Sequence, residues 1–385
     1  MKAAPATNRD LGLDLLRFMA IAAVLILHTL QIPGAFPKVF RPVFAVGWVG
    51  VDLFFVLSGF LIGSQALTAV RENPTPRGWV HTFWTKRWMR TLPLYFAILA
   101  VYAWIKPVLT SVSFPGSTWA FVFFLQNFGV PKDFVQSWSL CIEEQFYLVL
   151  PLVLVVVPRW STRGRFWAIL FFVGPIIRSV VLRVWMRSGE AWDFSSFDHL
   201  FRFPTFTHLD GIVAGLFLAA TESRWANWTL GRPRTAILTF GIAVIVGTCA
   251  IALPDGQPDA APISRSMPWV FSALAVGFSI ALIALRGWST SVRGVRFVIE
   301  WGATLSYGAY LWNNLWIRIV AKLSLGGLGF PLFIGGTFFT AYLSYRTIEL
   351  PFLRLRDRFL KAHSPLPILS AHPSLTSEVI NGKGS

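Results

Sequence analysis

Arg17 and His28 lie in an apolar run, from Leu13 to Thr29, that is long enough for one membrane-spanning helix. They are eleven positions apart. At about 100° and about 1.5 Å per residue, this spacing brings both side chains to one helix face, about 16 Å apart along the axis. A charge near the bilayer centre costs roughly 2.5–3.5 kcal/mol, so charges that are retained there are usually functional. The pair therefore predicts a functional face on this helix. The alternatives are that the Arg17 side chain extends to the membrane interface and that His28 has a structural role.

Two aspartates accompany the first two apolar runs. Asp14 precedes Arg17 by three residues, so the two side chains can pair on adjacent turns and lower each other's cost. Asp52 lies just inside the second run, where it either serves the site or pairs with an arginine on another helix. We count both aspartates as candidate substrate-binding residues.

A pair of arginines, Arg87 and Arg90, ends the segment WTKRWMR before the third run. Residues three apart are neighbours on one helix face. Two guanidinium groups there suit phosphate, because arginine binds phosphate oxygens bidentately and stays charged. A basic flank that meets anionic lipid is the alternative interpretation.

The segment QSWSLCIEEQFYLVLPL brings acidic side chains into an apolar run. Ser139 and Glu143 are four residues apart and share a helix face, with Glu144 adjacent. Two carboxylates in such a place have to be paired, protonated or solvated. A purely structural interpretation explains this segment least well.

The composition is that of a multi-pass membrane protein. Of the 385 residues, 55% are hydrophobic and 14% are charged, whereas soluble domains carry about 25% charged residues. The net charge of +16 does not indicate nucleic acid, because the basic residues lie between apolar runs. The six histidines are scattered and predict no metal site. Runs of spanning length cover residues 13–32, 46–66, 92–110, 138–157, 166–185, 204–221, 235–253, 268–285, 297–317 and 328–346.

Charge between the runs sets the expected topology. We predict an all-α fold with about ten transmembrane helices and both termini in the cytosol, because arginines cluster in alternate loops. The opposite loops, 188–199 and 254–262, are acidic or neutral. The apolar piece 118–129 is too short to cross easily and is predicted to be re-entrant or interfacial. Residues 1–360 are expected to form the membrane domain and residues 361–385 a disordered cytosolic tail.

These motifs, in this order, resemble the acyltransferase-3 family of integral-membrane acyltransferases. The resemblance begins with Arg17 and, ten residues further on, His28, and continues through GVDLFFVLSGFLI. It extends through the Arg87/Arg90 pair, WSLCIEEQFYLVLP, HLDGIVAGLFLA, LSYGAYLW and YRTIELPFLRLRDR, covering residues 11–358. Each motif alone is moderately specific, whereas the ordered set is highly specific.

The resemblance implies a reaction. Members of the family move acyl groups, mostly acetyl, from cytosolic acyl-CoA to hydroxyls of sugars or other acceptors. By resemblance, His28 is the catalytic base, and Glu143 orients its imidazole or binds the acceptor. Arg17, Arg87 and Arg90 are the expected CoA-binding residues, and Ser139 the expected substrate-binding one.

The resemblance also implies partners and a location. Acetyl-CoA is expected as a donor substrate, with no tightly bound cofactor. The expected acceptor is an exported polysaccharide, a lipid-linked glycan or an oligosaccharide, in a bacterial plasma (inner) membrane whose lipids surround the chain. Other glycan-assembly proteins are possible partners. One position departs from the family, since Asn313 stands where many members carry a histidine, so no second catalytic histidine is expected there.

Two other functions stay open on the sequence alone. The acceptor could be a glycosylated small molecule such as a macrolide, and the chain could instead be a transporter or flippase. Transporters typically show inverted repeats with broken helices in matching halves, and we find none in the sequence.

Acetyl-CoA binding separates an acyltransferase from a carrier. We expect acetyl-CoA to raise the thermal midpoint of the purified protein, because a ligand at about 100 times its Kd stabilises the folded state by about 2.7 kcal/mol. A thermal-shift titration measures this. A protein that is only a carrier, without a CoA site, would show no shift.

Overall fold

The structure is a computed structural model that describes residues 9–33, 36–72, 76–110, 118–129, 134–189, 194–229, 232–252 and 266–362. Within these ranges the chain forms helices and turns and no strand, which confirms the all-α prediction. The last described helix continues two residues past position 360, to Ala362. The rest of the predicted tail and the loop 254–262 lie outside the described residues.

Helices of eight or more residues form the body of the protein. In chain order they are α1 (Leu11–Thr29), α2 (Val49–Glu72), α3 (Pro76–Thr110), α4 (Ser137–Val156), α5 (Gly164–Phe171), α6 (Val173–Ser188), α7 (Asp210–Ala220), α8 (Glu222–Thr229), α9 (Arg234–Ala252), α10 (Val270–Leu285), α11 (Arg293–Leu323), α12 (Gly329–Ser344) and α13 (Leu350–Ala362). Shorter helical turns lie at Lys38–Phe40, Arg41–Ala45, Val46–Trp48, Thr118–Val122, Gln126–Phe128, Pro158–Ser161, Phe194–Phe197, Asp198–Arg202, Thr205–Thr207, Met267–Trp269, Gly326–Leu328 and Tyr345–Glu349.

Seven helical stretches in the described ranges are long and apolar enough to cross a membrane. They are Leu11–Thr29, Arg41–Glu72, Ser137–Val156, Gly164–Ser188, Arg234–Ala252, Met267–Leu285 and Gly326–Lys361. The other three predicted spans fall on α3, on α11 and on α7, which at 11 residues is short for a crossing. The multi-pass class is thus confirmed, whereas the count of ten and the cytosolic termini stay predictions.

The apolar piece 118–129 contains two short elements. Thr118–Val122 is a single helical turn and Gln126–Phe128 a 3₁₀ turn, and neither is long enough to span a bilayer. The side chains of Gln126 and Asn127 are nevertheless buried. The re-entrant or interfacial placement of this piece stays a prediction.

The outer surface of the bundle is apolar over long stretches. On α9, for example, Phe240, Ile242 and Val246 are exposed. A water-soluble protein rarely exposes such a continuous apolar face, whereas a lipid-facing helix requires one.

The start of α1 is fixed by Asp10. Its carboxylate accepts hydrogen bonds from the backbone N–H of Leu13 (3.1 Å) and of Gly287 (2.8 Å). The first bond caps the helix and the second ties it to the residues that follow α10. Arg286 adds an ion pair to the same carboxylate. These contacts set the position of α1 and therefore of Arg17, two turns further on.

The crossing of α2 and α7 depends on two glycines. A Cβ on Gly59 would lie 2.1 Å from the carbonyl oxygen of Ile212, and a Cβ on Gly215 would lie 2.3 Å from that of Val56. Both distances are far below van der Waals contact with backbone that cannot swing aside. The two helices therefore touch through their backbones, as helices with small residues do in membranes.

We expect Gly59→Ala and Gly215→Ala to lower the thermal midpoint by several degrees, because overpacking costs about 1–3 kcal/mol. Gly247→Ala is the matched control, since its added Cβ would meet no atom within 4 Å. It should be neutral or stabilising by up to about 1 kcal/mol, because alanine favours the helix. Thermal unfolding in one detergent measures all three. An equal response would show that the crossing tolerates side chains.

Candidate active site

A cavity of about 880 Å³, including its open mouth, lies among α1, α2, α3, α4 and α11. Its polar lining consists of Arg17, Ser58, Arg87, Arg90, Thr91, Ser139, Glu143, Tyr147, Ser306, Tyr307 and Tyr310. Its apolar lining consists of Val51, Phe54, Phe55, Leu57, Leu61, Ile62 and Leu140.

The cavity unites five of the eight residues that the sequence singled out. Arg17 comes from α1, Arg87 and Arg90 from α3, and Ser139 and Glu143 from α4. Segments more than 100 residues apart along the chain thus share one wall. The other three candidates, His28, Asp14 and Asp52, do not line it.

Asp14 forms an ion pair with Arg17 outside the cavity lining. Its buried carboxylate accepts from Arg17 Nη1 at 3.3 Å, which confirms the predicted pair, and from Arg9 Nε at 2.9 Å. One carboxylate therefore stands between two guanidinium groups, and one positive charge is left over. This excess faces the cavity through Arg17.

Arg87 and Arg90 leave hydrogen-bonding capacity unused. Arg87 donates to Gln65 through one Nη, whereas its buried Nε has no partner in the described part of the chain. Arg90 has no hydrogen bond or ion pair among the described residues, and its positive charge repels those of Arg17 and of Arg87. Crowded cations with free N–H groups bind a multivalent anion such as phosphate.

The two adjacent glutamates point in different directions. Glu143 lines the cavity and accepts a hydrogen bond from the Ser58 hydroxyl of α2, with Tyr147 one turn further along the same wall. Glu144 does not line the cavity, and its buried Oε2 has no partner in the described structure. The structure thus makes Glu143 the carboxylate that a ligand would meet.

Ser139 belongs to a pair of hydroxyl groups in the cavity lining. Its Oγ lies 2.6 Å from Tyr310 Oη, and the tyrosine in turn donates to the Gln136 carbonyl at 2.9 Å. Both hydroxyls line the cavity. The pair provides neutral hydrogen-bonding groups to a cavity whose charged lining consists of arginines and a carboxylate.

His28 is half-buried in the last turn of α1, outside the cavity lining. Its Nδ1 lies 2.7 Å from the Val24 carbonyl oxygen. Since a carbonyl only accepts, Nδ1 carries the proton, and the neutral ring keeps a lone pair on Nε2. This tautomer is the one that a general base requires.

Asp52 pairs with a residue that the sequence did not single out. The alternative of an arginine partner is wrong, because the buried carboxylate of Asp52 lies 2.9 Å from His208 Nε2. His208 Nδ1 lies 2.7 Å from the Arg202 carbonyl. Both ring nitrogens of His208 thus lie within hydrogen-bond distance of an oxygen atom, which fixes the orientation of the ring.

The sequence analysis also did not predict a second buried ion pair. Arg178 of α6 binds Asp210 of α7 through two hydrogen bonds, of 2.7 and 2.9 Å, and both side chains are fully buried. Each charge lies in a predicted apolar span, 166–185 or 204–221, and that cost is the signal that could have revealed the pair. Asn313, at the position that departs from the family, is buried and donates to the Tyr310 carbonyl of its own helix.

The fold and the cavity define a multi-pass membrane protein with a cationic internal site. A family model described as an acyltransferase domain matches residues 10–347. The chain therefore belongs to the acyltransferase-3 family, as the sequence predicted.

Curated relatives agree with this family. The chain is 26% identical over 366 residues to the peptidoglycan O-acetyltransferase OatA of Listeria monocytogenes, a match that covers 88% of this chain and 55% of that protein. It is 29% identical over 374 residues to the putative peptidoglycan O-acetyltransferase YrhL of Bacillus subtilis, covering 88% and 54%. A putative O-acetyltransferase of Staphylococcus aureus is 27% identical over 369 residues, covering 89% and 57%.

The chain spans about half the length of these relatives. No solved structure matches the chain significantly.

The different directions of Glu143 and Glu144 give a direct test. We expect Glu143→Gln to lower acyl transfer by about 10²-fold or more, the usual contribution of a proton-transferring or charge-orienting group. Glu144→Gln should stay within about twofold of the wild type, because its side chain is outside the cavity and amide replaces carboxyl with little change in shape. Turnover of acetyl-CoA by both variants measures this. Equal losses would contradict the assignment of Glu143.

Proposed function

We propose that the protein is an O-acyltransferase that takes an acetyl group from cytosolic acetyl-CoA and transfers it to a hydroxyl of a cell-wall or exported glycan. The observation that carries the proposal is the cluster of Arg17, Arg87 and Arg90 on one cavity wall, with free N–H groups and too few carboxylates to neutralise them. Peptidoglycan is the acceptor in the names of two relatives and is the first acceptor to test.

The donor fits the cationic wall. CoA carries several phosphate charges on its nucleotide and a long neutral arm that ends in the thioester. The phosphates would bind Arg87 and Arg90, with Arg17 as the third cation. The arm would then pass Ser58 and Glu143 and reach the neutral hydroxyls of Ser139 and Tyr310, which also line the cavity.

The proposed reaction needs one base. The acceptor hydroxyl gives its proton to His28 Nε2 while its oxygen attacks the thioester carbonyl carbon. A C–O bond forms and the carbonyl π electrons move to oxygen. On collapse, the C–S bond breaks and the CoA sulfur leaves as a thiol with the proton from His28. The products are the acetyl ester and free CoA.

The proposed orientation follows the distribution of basic residues. The arginine-rich loops face the cytosol, where CoA is found, and the end of α1 with His28 faces the outer side of a bacterial plasma membrane. The acyl group would therefore travel along α1 from the depth of Arg17 to that of His28.

Donor binding and chemistry should separate in variants. We expect His28→Ala to abolish acetyl transfer and to keep the thermal shift by acetyl-CoA. We expect Arg87→Gln and Arg90→Gln to weaken acetyl-CoA binding by about 10- to 100-fold each, because a hydrogen bond to a charged group contributes about 1.5–3 kcal/mol.

The measurements are a thermal-shift titration with acetyl-CoA and transfer of labelled acetyl to soluble peptidoglycan strands. Arg224→Gln is the matched control, since Arg224 is exposed and does not line the cavity. Full transfer by His28→Ala would refute the proposed base. Unaltered acetyl-CoA affinity in both arginine variants would refute the proposed donor site.

A further inference from the structure

Arg202 lies between two tryptophan rings. The centre of its guanidinium group is 5.7 Å from the ring centroid of Trp48 and 5.2 Å from that of Trp138. An arginine over an aromatic face is attracted by the ring quadrupole, and two such faces hold the flat group in one plane. Arg202 also ends the π-helical turn Asp198–Arg202, a rare geometry that is frequent at functional sites.

This stack is connected both to the cavity and to the end of α1 that carries His28. Trp138 directly precedes Ser139, which lines the cavity. Trp48 ends the turn Val46–Trp48, which packs against α1 near Leu27, the residue before His28. The charge of Arg202 acts electrostatically on the His28 ring and on the Tyr310 hydroxyl. Arg202 is not itself part of the cavity lining, but its charge acts both on Tyr310 of that lining and on the proposed base.

The charge of Arg202 is only partly neutralised. Its one ion pair in the described structure, Nη1 to Asp198 Oδ1, is long at 3.4 Å. Burial raises the pKa of the Asp198 carboxyl, which weakens it as a counter-ion, and the charge on Arg202 opposes that rise. The buried Nε of Arg202 has no hydrogen-bond partner in the described structure.

The position of Arg202 is fixed from a second side. Its backbone carbonyl accepts from His208 Nδ1, and His208 is in turn held by Asp52. The His208 ring also stacks on Trp138, with centroids 5.5 Å apart. Asp52 and His208 therefore act as positioning residues for Arg202. A cation that is held in place before the reaction stabilises developing charge without reorganisation.

We propose that the guanidinium group of Arg202 binds the carbonyl oxygen of the acyl group and stabilises the oxyanion that forms when the acceptor hydroxyl attacks. This inference rests on the proposed acyl-CoA reaction and adds the group that stabilises the oxyanion in that reaction. When the C–O bond forms, the electron pair that moves to the carbonyl oxygen is met by the guanidinium N–H groups. The pair returns to re-form the carbonyl as the C–S bond breaks.

The test compares Arg202→Gln and Arg202→Lys with the wild type in labelled acetyl transfer to soluble peptidoglycan strands. If those strands are not accepted, hydrolysis of acetyl-CoA replaces transfer, because it forms the same oxyanion. We expect Arg202→Gln to lower kcat by about 10²–10³-fold, the usual effect of losing an oxyanion donor. KM for acetyl-CoA and the acetyl-CoA thermal shift should stay unchanged, and Arg202→Lys should recover part of kcat.

A purely structural role is excluded by chemical rescue. Millimolar guanidinium should restore part of the activity of Arg202→Ala and should leave Arg202→Lys unaffected. Arg187→Gln, an exposed arginine at the end of α6, is the matched control and should keep the wild-type rate.

The outcomes distinguish this inference from the proposed function. If His28→Ala is inactive while Arg202→Gln keeps the wild-type kcat, the role of Arg202 is refuted and the proposed reaction stands. If Arg202→Gln raises only KM for the acceptor, Arg202 binds the acceptor and the oxyanion role is refuted. If His28→Ala is fully active, the proposed base fails, and Arg202 is judged by its own kcat and by rescue.

Discussion

The cost of charge in an apolar medium is the constraint on which this structure depends. Arg178 and Asp210 meet it fully, because the guanidinium group also donates to Ser272 Oγ and to the Pro268 carbonyl. Removing one partner of such a buried pair typically costs about 3–5 kcal/mol. The network therefore fixes α6, α7 and the start of α10 relative to one another, and α7 in turn positions α2.

The cavity arginines meet the same constraint in the opposite way. Asp14 neutralises only one of the two positive charges of Arg9 and Arg17. Arg87 and Arg90 have no carboxylate in direct contact among the described residues. Charge that the protein does not neutralise has to be neutralised by water or by a ligand. The contrast between a saturated pair and an unsaturated cluster within one bundle distinguishes a structural contact from a binding site.

Local sequence patterns predicted much of the site, because its residues come in helix-periodic pairs. Arg87 with Arg90, and Ser139 with Glu143, share faces that can be derived from spacing alone. The pairs that were missed, Asp52 with His208 and Arg178 with Asp210, join residues 156 and 32 positions apart, so no periodicity links them. Which of the two adjacent glutamates, Glu143 or Glu144, faces the cavity is decided by the rotation of α4 relative to α2. That rotation depends on helix packing and not on local sequence.

The backbone contact where α2 and α7 cross has a mechanical consequence. Since backbone touches backbone at Gly59 and Gly215, no side chain can change rotamer to absorb a displacement between the two helices. A donor that shifts α2 at Ser58 would move α7 with it as one body. The N-terminal end of α7 adjoins His208, and His208 holds the backbone of Arg202. A ligand that displaces α2 at the cavity would therefore shift Arg202 as well, through the rigid movement of α7.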